Sequence, residues 1–215
     1  MTATKATLGK LVVVIGPMLS GKTAILAGRA NLLKTIAHRQ VLVVMPVRDN
    51  RRSTTAIVSL NGTSTPAISV DHPNEILALI ETQGGSVGVD DLFIDEVQFF
   101  RQQVLAGGVL GWIIVDVVKQ VLRLGINVYV AGLNADSLTR PFPPTTDLLG
   151  IADVVNRVQA ICTECGEPAD WSLRLRGGKP IGPEGELIVV AGTTGEEGTG
   201  GETYTAVCAR HHPFI

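Results

Sequence analysis

A phosphate-binding motif, Gly-Pro-Met-Leu-Ser-Gly-Lys-Thr, occupies residues 16–23 of the 215-residue chain. It follows an apolar run at residues 11–15 and opens an amphipathic stretch at residues 22–38, so a strand, a glycine-rich turn and a helix come in this order. In that context the backbone N–H groups of the turn converge on phosphate oxygens at the positive end of the helix dipole. Lys22 would reach the β- and γ-phosphates, and the Thr23 hydroxyl would ligate Mg²⁺. The sequence therefore predicts a P-loop that binds a nucleoside triphosphate.

Two adjacent carboxylates, Asp95 and Glu96, follow the apolar run at residues 91–94. An acidic residue at the tip of a strand beside a P-loop usually holds Mg²⁺, directly or through water, and Asp95 takes that place. Glu96 is one residue further on and could accept a proton from a substrate hydroxyl or from water. The pair by itself does not separate phosphoryl transfer to a hydroxyl from hydrolysis of ATP.

Three cysteines and a pair of histidines form the second group of residues that could do chemistry. Cys162 and Cys165 make a Cys-x-x-Cys motif, and Cys208 precedes His211 by three residues. An odd number of cysteines cannot all pair within one chain, whereas a Cys₃His set is typical of a structural zinc ribbon. His212 is an alternative fourth ligand, because spacings of three and four both occur. Such a closed site would stabilise folding and would not catalyse.

Apolar runs that alternate with helical patterns indicate which elements position these residues. Further runs that read as strands lie at residues 40–45, 91–94 and 127–131, and residues 111–124 read as a core helix with one polar face. This alternation predicts an α/β fold of the P-loop NTPase type, a parallel sheet flanked by helices, with ligands at the carboxyl ends of the strands. The expected buried face of the first helix consists of Ile25, Leu26, Leu32, Leu33 and Ile36.

The chain divides by pattern into two parts. We expect a P-loop ATP-binding α/β domain at residues 1–158 and a small zinc-ribbon domain at residues 159–215. The glycine-rich segment at residues 191–201 predicts a flexible loop within the second part.

Composition limits the function classes that need to be considered. A hydrophobic content of 45% is enough for a sizeable core, and a net charge of −2 gives no reason to expect nucleic acid or an anionic membrane as a partner. The N-terminus has no signal-peptide pattern, and polar residues recur through the most apolar segment at three- and four-residue steps. We therefore expect a cytoplasmic enzyme that binds neither membranes nor nucleic acid.

Six motifs in matching order resemble those of the zinc-containing, P-loop (type II) thymidine kinase family. They are the P-loop, Asp49-Asn50-Arg51, the segment 95–100, the segment 131–134 with Pro141-Phe142, the Cys-x-x-Cys pair, and the segment 200–204 before Cys208. The resemblance covers about residues 10 to 212, essentially the whole chain. It implies transfer of the γ-phosphate of ATP to the 5′-hydroxyl of thymidine or deoxyuridine with Mg²⁺, a homotetramer, and dTTP as a feedback inhibitor.

The resemblance also implies a role for individual residues. Glu96 matches the general base, with Lys22 and Arg51 as further catalytic residues at the transferring phosphate, and the glycine-rich loop matches a lasso that closes over the nucleoside. The expected contacts to ATP are Gly16, Pro17, Met18, Ser20, Gly21, Lys22, Thr23, Asp49, Asp95 and Gln98. The expected contacts to the nucleoside are Met18, Phe99, Leu133, Phe142, Ser172, Val189 and Tyr204. The expected metal ligands are Cys162, Cys165, Cys208 and His211 for Zn²⁺, and Thr23 and Asp95 for Mg²⁺.

Departures from the family pattern lie near the expected nucleoside pocket. Leu19 stands where phenylalanine is usual, Asn134 where aspartate is usual, and Ser137 near the place of an aromatic residue. None of these changes touches the P-loop lysine or the acidic pair. Two alternatives stay open: a kinase for another 5-substituted deoxypyrimidine nucleoside, and a P-loop ATPase or zinc-ribbon module without nucleoside kinase activity.

Overall fold

The computed structural model describes residues 7–47, 55–182, 192–193 and 201–215. The predicted site residues Asp49, Arg51 and Val189, and most of the glycine-rich segment, lie outside the described residues. The strands in chain order are β1 (Leu11–Ile15), β2 (Val41–Pro46), β3 (Ala56–Val58), β4 (Ser64–Pro66), β5 (Ile68–Val70), β6 (Asp91–Ile94), β7 (Gln103–Ala106), β8 (Val109–Trp112), β9 (Asn127–Gly132), β10 (Val154–Arg157), β11 (Ala160–Ile161), β12 (Pro168–Ala169), β13 (Trp171–Arg176), β14 (Lys179–Pro180), β15 (Gly192–Thr193) and β16 (Glu202–Val207). The α-helices are α1 (Lys22–Thr35), α2 (Glu75–Thr82), α3 (Ile113–Arg123) and α4 (Thr145–Leu149).

The central sheet has six parallel strands in the spatial order β10-β1-β9-β6-β2-β5. This order confirms the predicted parallel α/β architecture. The carboxyl ends of β1, β9 and β6 meet at one edge of the sheet, and β9 lies between the strand that leads into the P-loop and the strand that leads into the acidic pair. Residues far apart in sequence are therefore brought to one place.

Two apolar layers cover the faces of this sheet. The larger layer includes residues of α2 and α3 packed on one face, and the smaller includes residues of α1 with Ile57 of the β3–β4 hairpin. The strands themselves are almost entirely buried, as expected for a parallel sheet covered on both sides. None of the helices in the described ranges is long and apolar enough to cross a membrane.

The buried face of α1 differs from the predicted one. Leu26 and Leu33 are buried together with two alanines, Ala27 and Ala30, whereas the side chains of Ile25, Leu32 and Ile36 are exposed. The helix lies close to the sheet through its alanines, so the buried stripe is rotated away from the larger side chains. It also ends at Thr35, short of the predicted end at His38, whose φ of 53° lies outside the right-handed helical region.

The predicted core helix at residues 111–124 begins later than expected. Gly111 and Trp112 belong to β8, which pairs with β7 in an antiparallel hairpin around Gly107 and Gly108. Both of these glycines have positive φ, 58° and 81°, as a tight hairpin turn requires. Gly111 and Trp112 are therefore part of the hairpin, and α3 starts at Ile113.

The C-terminal part builds a second, smaller sheet in the order β14-β13-β16-β15, next to the short hairpin β11–β12. Its central pair, β13 and β16, runs antiparallel over six residue pairs. A separate apolar cluster fills this part; its buried members are Ala160, Cys162, Ala169, Leu173, Ala206 and Val207.

Candidate functional site

The turn at residues 16–23 has the backbone of a P-loop. Gly21 adopts a φ of 81°, which favours glycine, immediately before α1 begins at Lys22. At Gly16 an added Cβ would lie 2.2 Å from the carbonyl oxygen of Val158, so the chain passes too close for any side chain. Both glycines of the motif are thus required by geometry.

Lys22 is half-buried, with its ammonium inside this turn. Nζ donates hydrogen bonds to the carbonyl oxygen of Pro17 (2.5 Å) and to Ser20 Oγ (3.3 Å). Burial lowers the pKa of Lys22 to about 8, although the carboxylates of Glu96 and Asp95 act in the opposite direction. Both groups that accept these hydrogen bonds are neutral. A phosphate bound in the turn would give the ammonium an anionic partner in direct contact.

The acidic pair lies next to the P-loop helix. Asp95 is 2% exposed, and its Oδ2 accepts a hydrogen bond from Thr23 Oγ1 at 3.0 Å. The backbone N–H of Glu96 donates to Asp95 Oδ1 (3.0 Å), and Glu96 itself has a φ of 54°. A positive φ is uncommon for a residue with a side chain and is often found at functional sites. Thr23 and Asp95, the two residues predicted to hold Mg²⁺, are thus in contact.

Gln98 contacts Glu96 and is completely buried. Its Nε2 donates to Glu96 Oε2 (2.6 Å), and its Oε1 accepts from the backbone N–H of Leu133 (3.2 Å). Sequence reasoning placed Gln98 among the ATP contacts and did not find its link to Leu133. The partner lies 35 residues away, and no local pattern in the sequence indicates it.

The residues expected around the nucleoside come from several elements. Leu133 and Phe142 follow β9 and are buried, Phe99 follows the acidic pair, and Ser172 and Tyr204 lie on β13 and β16. Ser172 is 4% exposed, and its Oγ accepts a hydrogen bond from the backbone N–H of Met18 in the P-loop at 2.9 Å. The C-terminal sheet therefore contacts the P-loop directly.

The Cys₃His set converges as its spacing predicts. The Sγ atoms of Cys162, Cys165 and Cys208 and a ring nitrogen of His211 all lie within 4.8 Å of one another. The separations are 3.5 Å from Cys162 Sγ and 3.4 Å from Cys208 Sγ to His211 Nδ1, and 3.9 Å between Cys165 Sγ and Cys208 Sγ. Ligand atoms on a tetrahedral zinc ion would be about 3.8 Å apart for bonds of about 2.3 Å, so the set fits Zn²⁺.

The ionisation of one of these thiols, Cys162, also favours a metal. Burial raises the pKa of the Cys162 thiol, but backbone hydrogen bonds from Cys208 and Glu164 and the contact with His211 outweigh burial and lower that pKa to about 6. A thiolate is the form that binds zinc. His212 takes no part in the cluster: it is 3% exposed, and its Nε2 faces the carbonyl oxygen of Ser172 at 3.4 Å.

A parallel sheet with a P-loop, an acidic pair on the second strand along and a Cys₃His cluster that fits zinc defines the class: a P-loop nucleotide-binding protein. The family model for thymidine kinase matches residues 9–212. The chain is 35% identical over 204 residues to the thymidine kinase of Thermococcus kodakarensis, and the match covers 95% of this chain and 94% of that protein. It is 34% identical over 204 residues to the thymidine kinase of Ureaplasma urealyticum serovar 10, covering 95% of this chain and 82% of that protein. The chain therefore belongs to the thymidine kinase family, as its motifs predicted.

Proposed function

We propose that this protein transfers the γ-phosphate of ATP to the 5′-hydroxyl of thymidine or deoxyuridine, with Mg²⁺. The observation that carries this proposal is the contact between the P-loop and the acidic pair, with Thr23 Oγ1 hydrogen-bonded to Asp95 and Glu96 directly beside it. Membership of the thymidine kinase family supports the nucleoside as acceptor.

The P-loop and Asp95 would handle the phosphates. The backbone N–H groups of residues 16–23 and the ammonium of Lys22 would bind the β- and γ-phosphates. Thr23 and Asp95 would hold Mg²⁺, which when bound neutralises charge on the phosphate oxygens. Asp49 and Arg51 stay predicted partners of the transferring phosphate and lie outside the described residues.

Glu96 would act as the general base. Its carboxylate would accept the proton of the 5′-hydroxyl as that oxygen bonds to the γ-phosphorus, while the bond from the γ-phosphorus to the bridging oxygen breaks and ADP leaves. The hydrogen bond from Gln98 Nε2 holds the Glu96 carboxylate at Oε2. The half-exposed position of the residue suits contact with a substrate.

The nucleoside would be held between the two parts of the chain. Met18, Phe99, Leu133, Phe142, Ser172 and Tyr204 are the proposed contacts among the described residues, and Val189 is a further one outside them. We propose the division at residues 158/159, because the chain leaves the central sheet after Arg157 and the first strand of the C-terminal part begins at Ala160. The Cys₃His cluster would bind structural Zn²⁺ and hold the C-terminal part together.

Four further proposals complete the picture. A homotetramer and inhibition by dTTP rest on the family resemblance, whereas a cytoplasmic location and the absence of membrane and nucleic-acid partners rest on composition and charge. Size-exclusion chromatography with light scattering tests the tetramer, and steady-state kinetics with added dTTP tests the inhibition.

The deciding experiment measures transfer of labelled phosphate from ATP to a panel of nucleosides, with the wild type, Glu96→Gln and a control without nucleoside. We expect transfer to thymidine and deoxyuridine, no transfer to purine nucleosides or cytidines, and a loss of about 100-fold or more in kcat for Glu96→Gln. Preference for a bulkier 5-substituted pyrimidine would change the substrate and keep the chemistry. Release of phosphate without any acceptor, and no labelled nucleotide, would overturn the proposal.

A further inference from the structure

We infer that Gln98 is a positioning residue that holds the Glu96 carboxylate in place and links it to the backbone of Leu133. The inference rests on the proposed role of Glu96 as the base. This role differs from the ATP contact that its motif suggested, because the amide is completely buried and both of its polar atoms face protein groups.

The hydrogen bonds of the Gln98 amide fix which way it points. The backbone N–H of Leu133 is only a donor, so the amide atom that faces it at 3.2 Å must be the oxygen. The amide nitrogen is then the atom 2.6 Å from Glu96 Oε2, and it can only donate. The opposite orientation would set two donors against each other at Leu133 and two acceptors against each other at Glu96. The Gln98 amide is therefore oriented to donate to an acceptor oxygen of the Glu96 side chain.

The end of β9 leaves room for this amide. A Cβ added to Gly132 would lie 2.6 Å from Thr145 Oγ1, 2.9 Å from Val97 Cγ1 and 3.0 Å from Gln98 Oε1. The first two separations are shorter than real Cβ atoms show and the third is tighter than most, so a side chain at residue 132 would force Thr145 and Val97 to move and would crowd the amide oxygen. The glycine thus allows Gln98 to occupy its buried position.

The link to Leu133 connects the base with the proposed nucleoside pocket. Leu133 opens the segment that runs to Phe142, and both residues are proposed contacts to the nucleoside. Any shift of the Leu133 backbone on nucleoside binding would pass through the amide to the Glu96 carboxylate.

A double-mutant cycle tests the inference. Gln98→Met has a similar length and makes neither hydrogen bond, and we expect kcat for phosphate transfer to fall about 10-fold or more with the KM for ATP changed less than about 2-fold. In the Glu96→Gln background the same substitution should cause no further loss, because Gln98 acts only through Glu96. Gln102→Met is the matched control: Gln102 Nε2 bonds the carbonyl oxygen of Asp71 at 2.9 Å, away from Glu96, and its loss should leave kcat unchanged.

Two further variants keep the test decisive if Gln98→Met does not fold. Gln98→Glu retains an acceptor for Leu133 but sets a carboxylate against Glu96, and Gly132→Ala crowds the amide oxygen; both should lower kcat more than they raise the KM for ATP. A wild-type kcat in any folded Gln98 variant, or losses that simply add in the double mutant, would overturn the inference. Full activity of Glu96→Gln would instead overturn the proposed role of Glu96, so the two failures are distinguishable.

Discussion

Replacing Ser172 with alanine should weaken the binding of ATP, although Ser172 lies on β13 and outside the P-loop. Its Oγ is the acceptor for the backbone N–H of Met18, which lies in the turn that must present its N–H groups to phosphate. Without this acceptor the turn can relax in the nucleotide-free protein, and ATP binding must then restore its order.

The structure sets the size of this effect. A donor left without its partner costs about 1–3 kcal/mol when buried. Because Met18 is half-buried and water can replace part of the lost bond, the lower end of that range applies, about 1–1.5 kcal/mol. A difference of about 1.4 kcal/mol is a factor of ten, so the Kd for ATP should rise about 5- to 12-fold.

Isothermal titration calorimetry with ATP checks this prediction, and Thr205→Val is its control. Thr205 is 6% exposed in the same small sheet, and its Oγ1 shares a hydrogen bond of 2.8 Å with Thr163 Oγ1, away from the P-loop. Loss of that hydroxyl should lower the thermal midpoint of unfolding and leave the Kd for ATP unchanged. An unchanged Kd in Ser172→Ala, in protein shown to be folded, would refute the reasoning that Ser172 holds the P-loop.

Two further predictions concern charge and metal. Burial keeps the pKa of Lys22 at about 8, below its ordinary 10.5, so between these pH values the unfolded chain binds more protons than the folded one. The free energy of unfolding of the nucleotide-free protein should therefore rise with pH across that window. Urea titrations at pH 7.5, 8.5 and 9.5 should show a smaller rise in Lys22→Met, and an equal dependence on pH in the two proteins would contradict this prediction. Removing zinc with a strong chelator, or replacing Cys165 with serine, should lower the thermal midpoint of unfolding by roughly 10 °C or more, because a closed metal site contributes to folding. An unchanged midpoint in protein that elemental analysis shows to be free of zinc would argue against a structural metal.

The local parts of the fold could be predicted from the sequence because the residues that form them are neighbours. The P-loop, its strand and the start of α1 follow from the glycines and the lysine, which define one turn geometry. The Cys₃His cluster follows from two short spacings, each of which fixes two ligands on one turn of chain.

The contacts that complete the site could not be predicted in the same way. Gln98 meets Leu133 across 35 residues, and Ser172 meets Met18 across 154. Such pairs depend on which strands are neighbours in the sheet, and hydrophobic periodicity identifies strands without giving their order. The buried face of α1 was wrong for a related reason: periodicity favours the largest apolar side chains, whereas close packing on the sheet selected Ala27 and Ala30.

The position of β1 in the sheet bears on when the protein can become functional during its synthesis. β1 carries the P-loop and is made first, yet its two neighbours are β9 and β10, at residues 127–132 and 154–157. A nascent chain therefore holds its phosphate-binding turn on an unpaired strand until most of the protein has left the ribosome. At about 5–20 residues per second this interval lasts on the order of ten seconds, during which the apolar run of β1 has neither of its two sheet neighbours.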